Sequence, residues 1–295
     1  MINNRILTQT FEYFTPTTVE ETLRLLDKYG QEAKIMAGGT DILVQLKQEI
    51  LSPNYLIHIR KIPELSYIKN DGTVRIGAAT RLFEVLQFFM EDGKYFALYG
   101  ALRSLGNVQI RNMGTIGGNL CNASPAADSA LPLLVFDSRV KLSSVRGERI
   151  INLEDFFKGV NRTAMAPNEI MMEIQIPSIK EGTGSVFKKI KRVGADISKI
   201  SCAVAVERRE DVCVSCRIAL GAVAPVPMRA KEAEGALVDK RIDDSFVEEI
   251  GLVVSEEINP ITDIRSTAEY RRQIAAVLFK DVFRKAWQRA GGEEE

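Results

Sequence analysis

The order of apolar periodicities along the 295 residues predicts an α+β protein. Hairpin signals recur: strand-like residues 67–69 and 73–76 flank Asn70-Asp71-Gly72, and residues 140–143 and 149–152 flank Arg146-Gly147. Strand patterns over residues 186–190, 201–207 and 212–220 are followed by helical patterns near 244–256 and 268–290. Runs of strands followed by helices, without regular alternation, fit α+β better than a doubly wound sheet.

The elements follow in order. Thr17 and Thr18 precede Glu20 and Glu21 in a capping-box pattern, Val19, Leu23 and Leu26 take helical spacing, and Gly30 stops the helix. Lys34-Ile35-Met36-Ala37 reads as a strand running into Gly38-Gly39-Thr40, and residues 41–47 read as a helix with Ile42, Leu43 and Leu46 apolar. A strand, glycine turn and helix present free N–H groups and a positive dipole end to an anion. Residues 55–59 form a β-like run between Pro53 and Pro63. A second unit begins after Pro63, with helices expected at 81–90 and 96–105. Residues 106–129, rich in Gly, Asn, Ser and Ala, form a stretch too long for a casual turn and read as functional. Residues 170–176 alternate and end at Pro177, and the break over 178–184 predicts a domain boundary. The tail over residues 291–295 is expected to fray.

Composition narrows the function. The 39 basic residues balance 39 acidic ones, which argues against a general nucleic-acid binder. The N-terminal MINNRILTQTFEYF lacks the apolar core of a signal peptide, and no apolar run reaches the roughly 18 residues of a membrane span. Four cysteines are too few for a disulfide framework at this length. A soluble cytoplasmic protein is expected. The single histidine, His58, lies in a strand-like run and reads as structural, so no histidine-based zinc site or Ser-His-Asp triad is expected. Cys213 and Cys216 have redox-motif spacing but fall inside a strand pattern, which predicts opposite-facing side chains and neither metal nor disulfide. An enzyme with this composition would borrow its chemistry from a cofactor.

A lone Gly-Gly pair is a weak signal. Neither Gly38-Gly39 nor Gly117-Gly118 belongs to a Gly-x-Gly-x-x-Gly fingerprint or a P-loop. Two such pairs beside hydroxyl residues, with Thr40 and Thr115 as extra donors, suit a pyrophosphate bound without magnesium. Asn119 can tie the second loop or meet the ligand.

Lys34-Ile35-Met36-Ala37-Gly38-Gly39-Thr40-Asp41 and Gln109-Ile110-Arg111-Asn112-Met113-Gly114-Thr115-Ile116-Gly117-Gly118-Asn119 closely resemble the two FAD signatures of molybdenum hydroxylase flavoprotein subunits. These are the medium subunits of xanthine and carbon monoxide dehydrogenases. The resemblance continues through Ala123-Ser124-Pro125-Ala126-Ala127-Asp128, Gly147, Glu169-Ile170, the segment from Phe187-Lys188 to Ile197, and Leu220-Gly221-Ala222-Val223-Ala224-Pro225.

That family implies a two-subdomain FAD-binding region of the PCMH type over residues 1–177, divided near 62 and 63. A C-terminal domain of antiparallel sheet plus helices follows over 178–295. By position, the resemblance implies that Lys34, Ile35, Met36, Ala37, Gly38, Gly39, Thr40, Asp41 and Ile42 line the pyrophosphate and ribityl chain. Thr115, Ile116, Gly117, Gly118 and Asn119 would lie opposite, and Asp128 would accept from the flavin's sugar-like part. Met171 would offer a backbone contact, and Lys188 would reach in from the C-terminal domain. Leu105 stands where some relatives place an adenine-stacking aromatic, so apolar contact is expected there. Cys121, beside the second glycine pair, would meet the cofactor by backbone alone, and residues 191–198 match a segment near the flavin ring or form a charged surface loop.

The implied function is electron transfer. A small [2Fe–2S] subunit would feed the FAD, a large molybdopterin subunit would oxidise substrate, and NAD or another acceptor would take the electrons. Two other readings stand beside it: a stand-alone FAD-dependent reductase or oxidase, and a nucleotide-binding regulatory module without turnover.

Overall fold

The structure, a computed structural model, describes residue 7 and residues 9–292. Residues 1–6 and 8 of the N-terminal stretch and residues 293–295 of the expected frayed tail lie outside the described residues.

The first unit runs β1 (Glu12–Phe14), α1 (Val19–Tyr29), β2 (Ala33–Met36), α2 (Ile42–Lys47) and β3 (Tyr55–His58). Thr18 caps α1 by accepting from the Glu21 N–H at 3.2 Å, and the Glu21 carboxylate accepts from Thr17 N–H at 3.0 Å. Gly30 ends it at φ 50°, a conformation that costs glycine little. The three strands are parallel in the order β1-β3-β2. This unit is therefore a small alternating β/α layer, where no regular alternation was expected. The strand over 12–14 carries too few residues to show a period. Leu26, Ala33, Ile57, Ile59 and Ile62 bury its core. His58 is structural here: its Nδ1 lies 2.7 Å from the Tyr13 hydroxyl, and the rings stack.

The second unit contains β4 (Ile68–Asn70), β5 (Val74–Gly77), α3 (Leu82–Phe88), α4 (Phe96–Ser104), α5 (Val108–Met113), α6 (Ile116–Cys121) and α7 (Ala130–Val135). It continues with β6 (Arg139–Ser144), β7 (Gly147–Asn152), α8 (Leu153–Phe156), β8 (Phe157–Gly159), β9 (Arg162–Thr163) and β10 (Ile170–Ile176). Both expected hairpins form, and a five-stranded antiparallel sheet has the order β4-β5-β10-β6-β7. The long polar stretch over 106–129 is not one loop. It holds two six-residue helices, started by Asn107 and Thr115, whose side chains accept from the Ile110 and Gly118 N–H groups.

The C-terminal part comprises β11 (Thr183–Ile190), β12 (Ile200–Arg209), β13 (Val212–Gly221), β14 (Met228–Arg229), α9 (Lys231–Leu237), α10 (Asp244–Glu257) and α11 (Ala268–Ala290). Its four-stranded antiparallel sheet has two apolar faces. Cys202, Val204, Val206 and Ile218 join Val282 and Phe283 of α11 on one. Phe187, Ala203, Ala205 and Ala219 join the core of the second unit on the other. Cys213 and Cys216 do not face opposite ways. The β12–β13 register shifts between Glu207 and Arg208, leaving Val214 unpaired, and both thiols enter the same core, free and fully buried. Burial pushes the Cys216 thiol well up. No described helix is long and apolar enough to cross a membrane.

Candidate cofactor-binding site

The segments on either side of α2 and α6 enclose a cavity of about 850 Å3, within the range of cofactor sites. Steric necessity brings the two glycine segments together. A Cβ at Gly38 would lie 2.0 Å from the Met113 carbonyl oxygen, and one at Gly117 would lie 2.6 Å from Ala78 O. Gly38 therefore lets the β2–α2 turn touch the α5–α6 turn, and Gly117 seats α6 on the chain leaving β5. Gly39 adopts φ +77°, which frees the next amides to turn toward the cavity.

The two segments offer different chemistry. The N–H groups of Gly38, Gly39, Thr40 and Asp41 donate to no other described residue, so four consecutive donors stand at the cavity wall. Those of the second segment are spoken for. Ile116 donates to Thr80 O at 3.0 Å, Gly117 to Ala78 O at 2.9 Å, Gly118 to Thr115 Oγ1 at 3.1 Å, and Asn119 to Thr115 O at 3.0 Å. The expected symmetrical cradle is thus one-sided: the first segment supplies main-chain donors and the second supplies a wall. Asn119 adds a side chain to it, its Oδ1 taken by the Ser129 hydroxyl at 2.7 Å. Asn122 Nδ2, 3.3 Å from Asp41 Oδ1, ties the ends of the two segments.

Of the residues singled out from sequence, Lys34, Ile35, Ala37, Gly38, Gly39, Thr40, Asp41, Ile42, Leu105, Thr115, Gly117, Gly118, Asn119 and Met171 line this cavity. Met36, Ile116, Asp128 and Lys188 do not. Lys188 points the other way, its Nζ 2.5 Å from Asp281 Oδ2 on α11. Residues 191–198 also stay off the lining and form an exposed turn closed by the Arg192–Asp196 ion pair at 2.7 Å. Cys121 does line the cavity, its Sγ 3.6 Å from Met165 Sδ, and burial pushes its thiol up to about 12. It is an unreactive wall residue.

One wall was not foreseen. Asn161, Arg162, Thr163, Met165, Ala166 and Pro167 line the cavity from the β8–β9 hairpin and the chain after it. The hairpin is pinned where Asn161, at φ 54°, donates to Ala123 O at 3.1 Å. The following chain is braced by Glu169, which takes Arg149 Nε and an Arg149 terminal nitrogen at 2.7 Å each and the Ala166 N–H at 2.7 Å. Arg149 beside it holds the Glu169 carboxyl below its ordinary value. The signal for the hairpin was Gly159 and Asn161, turn residues between Phe157 and Thr163, but strands this short have no readable period. Among the described lining residues Lys34 and Arg162 are the basic ones, and neither forms an ion pair with a described acidic residue. Four free amides, two unpaired cations and close-packed glycines suit a diphosphate with bulky groups at both ends.

The comparisons decide which. A family described as "FAD binding domain in molybdopterin dehydrogenase" matches residues 9–179, and "CO dehydrogenase flavoprotein C-terminal domain" matches 185–286. The chain belongs to the FAD-binding medium subunits of the molybdenum hydroxylases. It is 34% identical over 276 residues to the glyceraldehyde dehydrogenase medium chain of Sulfolobus acidocaldarius, spanning 93% of this chain and 98% of that one. It is 32% identical over 285 residues to the xanthine dehydrogenase FAD-binding subunit of Escherichia coli O157:H7, at 95% and 97% coverage. A solved carbon monoxide dehydrogenase chain from Hydrogenophaga pseudoflava superposes with a TM-score of 0.93 at 32% identity, over 96% of this medium subunit and 99% of that chain. The cofactor of this flavoprotein subunit is FAD, and the enzymes of its relatives are dehydrogenases.

Proposed function

We propose that this chain is the electron-relay subunit of a heteromeric molybdenum hydroxylase. In this reading it accepts electrons from [2Fe–2S] clusters of a small partner subunit and delivers them through FAD to NAD or another acceptor. A large molybdopterin subunit carries out substrate oxidation. The observation behind it is the end-to-end correspondence with a carbon monoxide dehydrogenase chain, which leaves almost nothing of either chain unmatched. Bound FAD supplies the exchange between one-electron and two-electron chemistry.

The protein's own residues bind and orient. The amides of residues 38–41 donate to the diphosphate, with Lys34 and Arg162 balancing its charge. Asn119 presents its amide to the cofactor's polar middle. Leu105, buried at the end of α4, gives the adenine an apolar seat, and Met171 on β10 closes the opposite wall. Residues 1–177, with subdomains of about 1–62 and 63–177, are taken as the FAD-binding region and 178–295 as the C-terminal domain.

The test is purification of the chain with the products of its neighbouring genes. The expected result is a complex with flavin absorption near ~450 nm, iron and molybdenum. A chain that takes up FAD but purifies without metal-containing partners would overturn the relay reading while leaving the flavin site intact.

A further inference from the structure

Asn122 crosses from the second glycine segment to the first. It is the C-cap of α6, its own N–H given to Gly118 O at 3.0 Å. Its side-chain amide reaches α2 and bridges two residues one helical turn apart. Nδ2 donates to Asp41 Oδ1 at 3.3 Å, and Oδ1 accepts from Gln45 Nε2 at 3.4 Å. A carboxylate can only accept, so Asp41 fixes which end of the Asn122 amide faces it and leaves Oδ1 for Gln45. All three residues line the cavity.

Little else fixes the direction of α2. A helix of six residues is not held by its own backbone bonds, and Leu46 is its one buried side chain. Leu43 and Val44 are 37% and 49% exposed. The chain entering the helix turns at Gly39, where φ +77° and the missing side chain leave the backbone free to pivot. The aim of the four free amides of residues 38–41 therefore follows the docking of α2. Asp41 adds a second need, because a carboxylate on the wall of a diphosphate site repels the ligand unless a donor tempers its charge. Asn122 Nδ2 is such a donor.

We propose that Asn122 is a positioning residue of the flavin site: by holding Asp41 and Gln45 it docks α2 and aims the amides of residues 38–41 at the cofactor's diphosphate. This rests on the reading of those amides as the diphosphate seat. Asn122 acts through α2 and the turn before it, and the affinity it adds belongs to the diphosphate rather than to the adenine.

The experiment measures FAD affinity of the full-length flavin-free protein by quenching of flavin fluorescence, with ADP and adenosine as competitors and thermal unfolding in parallel. ADP carries a diphosphate and adenosine does not, so their ratio reads the diphosphate seat, and wild type should prefer ADP. Asn122→Ala is expected to weaken FAD and ADP roughly tenfold, the size of two ordinary hydrogen bonds, and to leave adenosine unchanged. The flavin-free unfolding midpoint should move little, because α2 buries one side chain. Asn122→Asp sets a second carboxylate beside Asp41 and should weaken FAD further. Adding Asp41→Asn to it restores a donor and an acceptor with their direction reversed and keeps an acceptor for Gln45, so the double variant should recover most of the affinity. Unchanged FAD affinity and ADP preference in Asn122→Ala would overturn the proposal. If that variant does not fold, a double variant that binds FAD no tighter than Asn122→Asp overturns it equally. Wild-type protein with no preference for ADP over adenosine would instead sink the reading of residues 38–41 as the diphosphate seat.

Discussion

A Cβ at Gly38 would meet the Met113 carbonyl oxygen at 2.0 Å and Gly114 Cα at 2.8 Å, both main-chain atoms with little room to move. Gly38→Ala should therefore separate the two glycine segments, destabilise the fold by about 2–3 kcal/mol, and lower flavin content. Thermal unfolding and the flavin-to-protein absorbance ratio check this, and an unshifted midpoint with full flavin would refute it. Gly38 was read from sequence as allowing the backbone to approach a ligand. The structure adds a steric role, because backbone contact between the two segments excludes any side chain there. The donors of the first segment were legible from strand, glycine and helix in succession. The silence of the second was not, because its Ile116 and Gly117 N–H groups are claimed by Thr80 and Ala78, almost forty residues earlier in the chain.

Among the elements, the β8–β9 hairpin and the chain leading to β10 depend on one residue. Glu169 holds residues 164–169 against β7 through Arg149, which also donates to Ala164 O at 2.7 Å. The Glu169 carboxyl lies below its ordinary 4.5 in the folded protein, with the Arg149 hydrogen bond as the largest cause. A depressed carboxyl contributes stability that is fully present above the unfolded value and is lost as pH falls through the folded one. Glu169→Gln should lower the unfolding midpoint at neutral pH by a few degrees, for about 1 kcal/mol in a partly exposed pair. The gap to wild type should close below about pH 4. Carboxyls shifted upward, Asp128 among them, are common to both proteins and cancel in the comparison. A gap that stayed constant down to low pH would count against the brace. Glu169 was noticed in sequence only as part of a resemblance; its partner Arg149 stood in an expected hairpin with no sign of which way it turned.

Across the whole molecule, the C-terminal sheet completes a core it does not own. Phe187, Ala203, Ala205 and Ala219 are buried against the second unit, so cutting the chain after residue 177 would expose that apolar surface. The truncated protein should bind a hydrophobic dye, lose its cooperative unfolding transition and fail to retain FAD. A soluble fragment with native near-ultraviolet circular dichroism and wild-type FAD affinity would show the two parts to be independent.

The sequence by itself determined the cap at Thr18, both hairpins, the long C-terminal strands and helices, and the two glycine pairs, because periodicity, capping and backbone freedom act over a few residues; the six-residue helices capped by Asn107 and Thr115 were too short to show a period. Tertiary structure decided which N–H groups remain free, that Val214 bulges and turns both Cys213 and Cys216 inward, and that Lys189 rather than Lys188 meets Asp128. Each of those depends on strand register and on competition for hydrogen-bond partners far apart in the chain. In a sheet a shift of one residue exchanges the two faces, and no local signal records it.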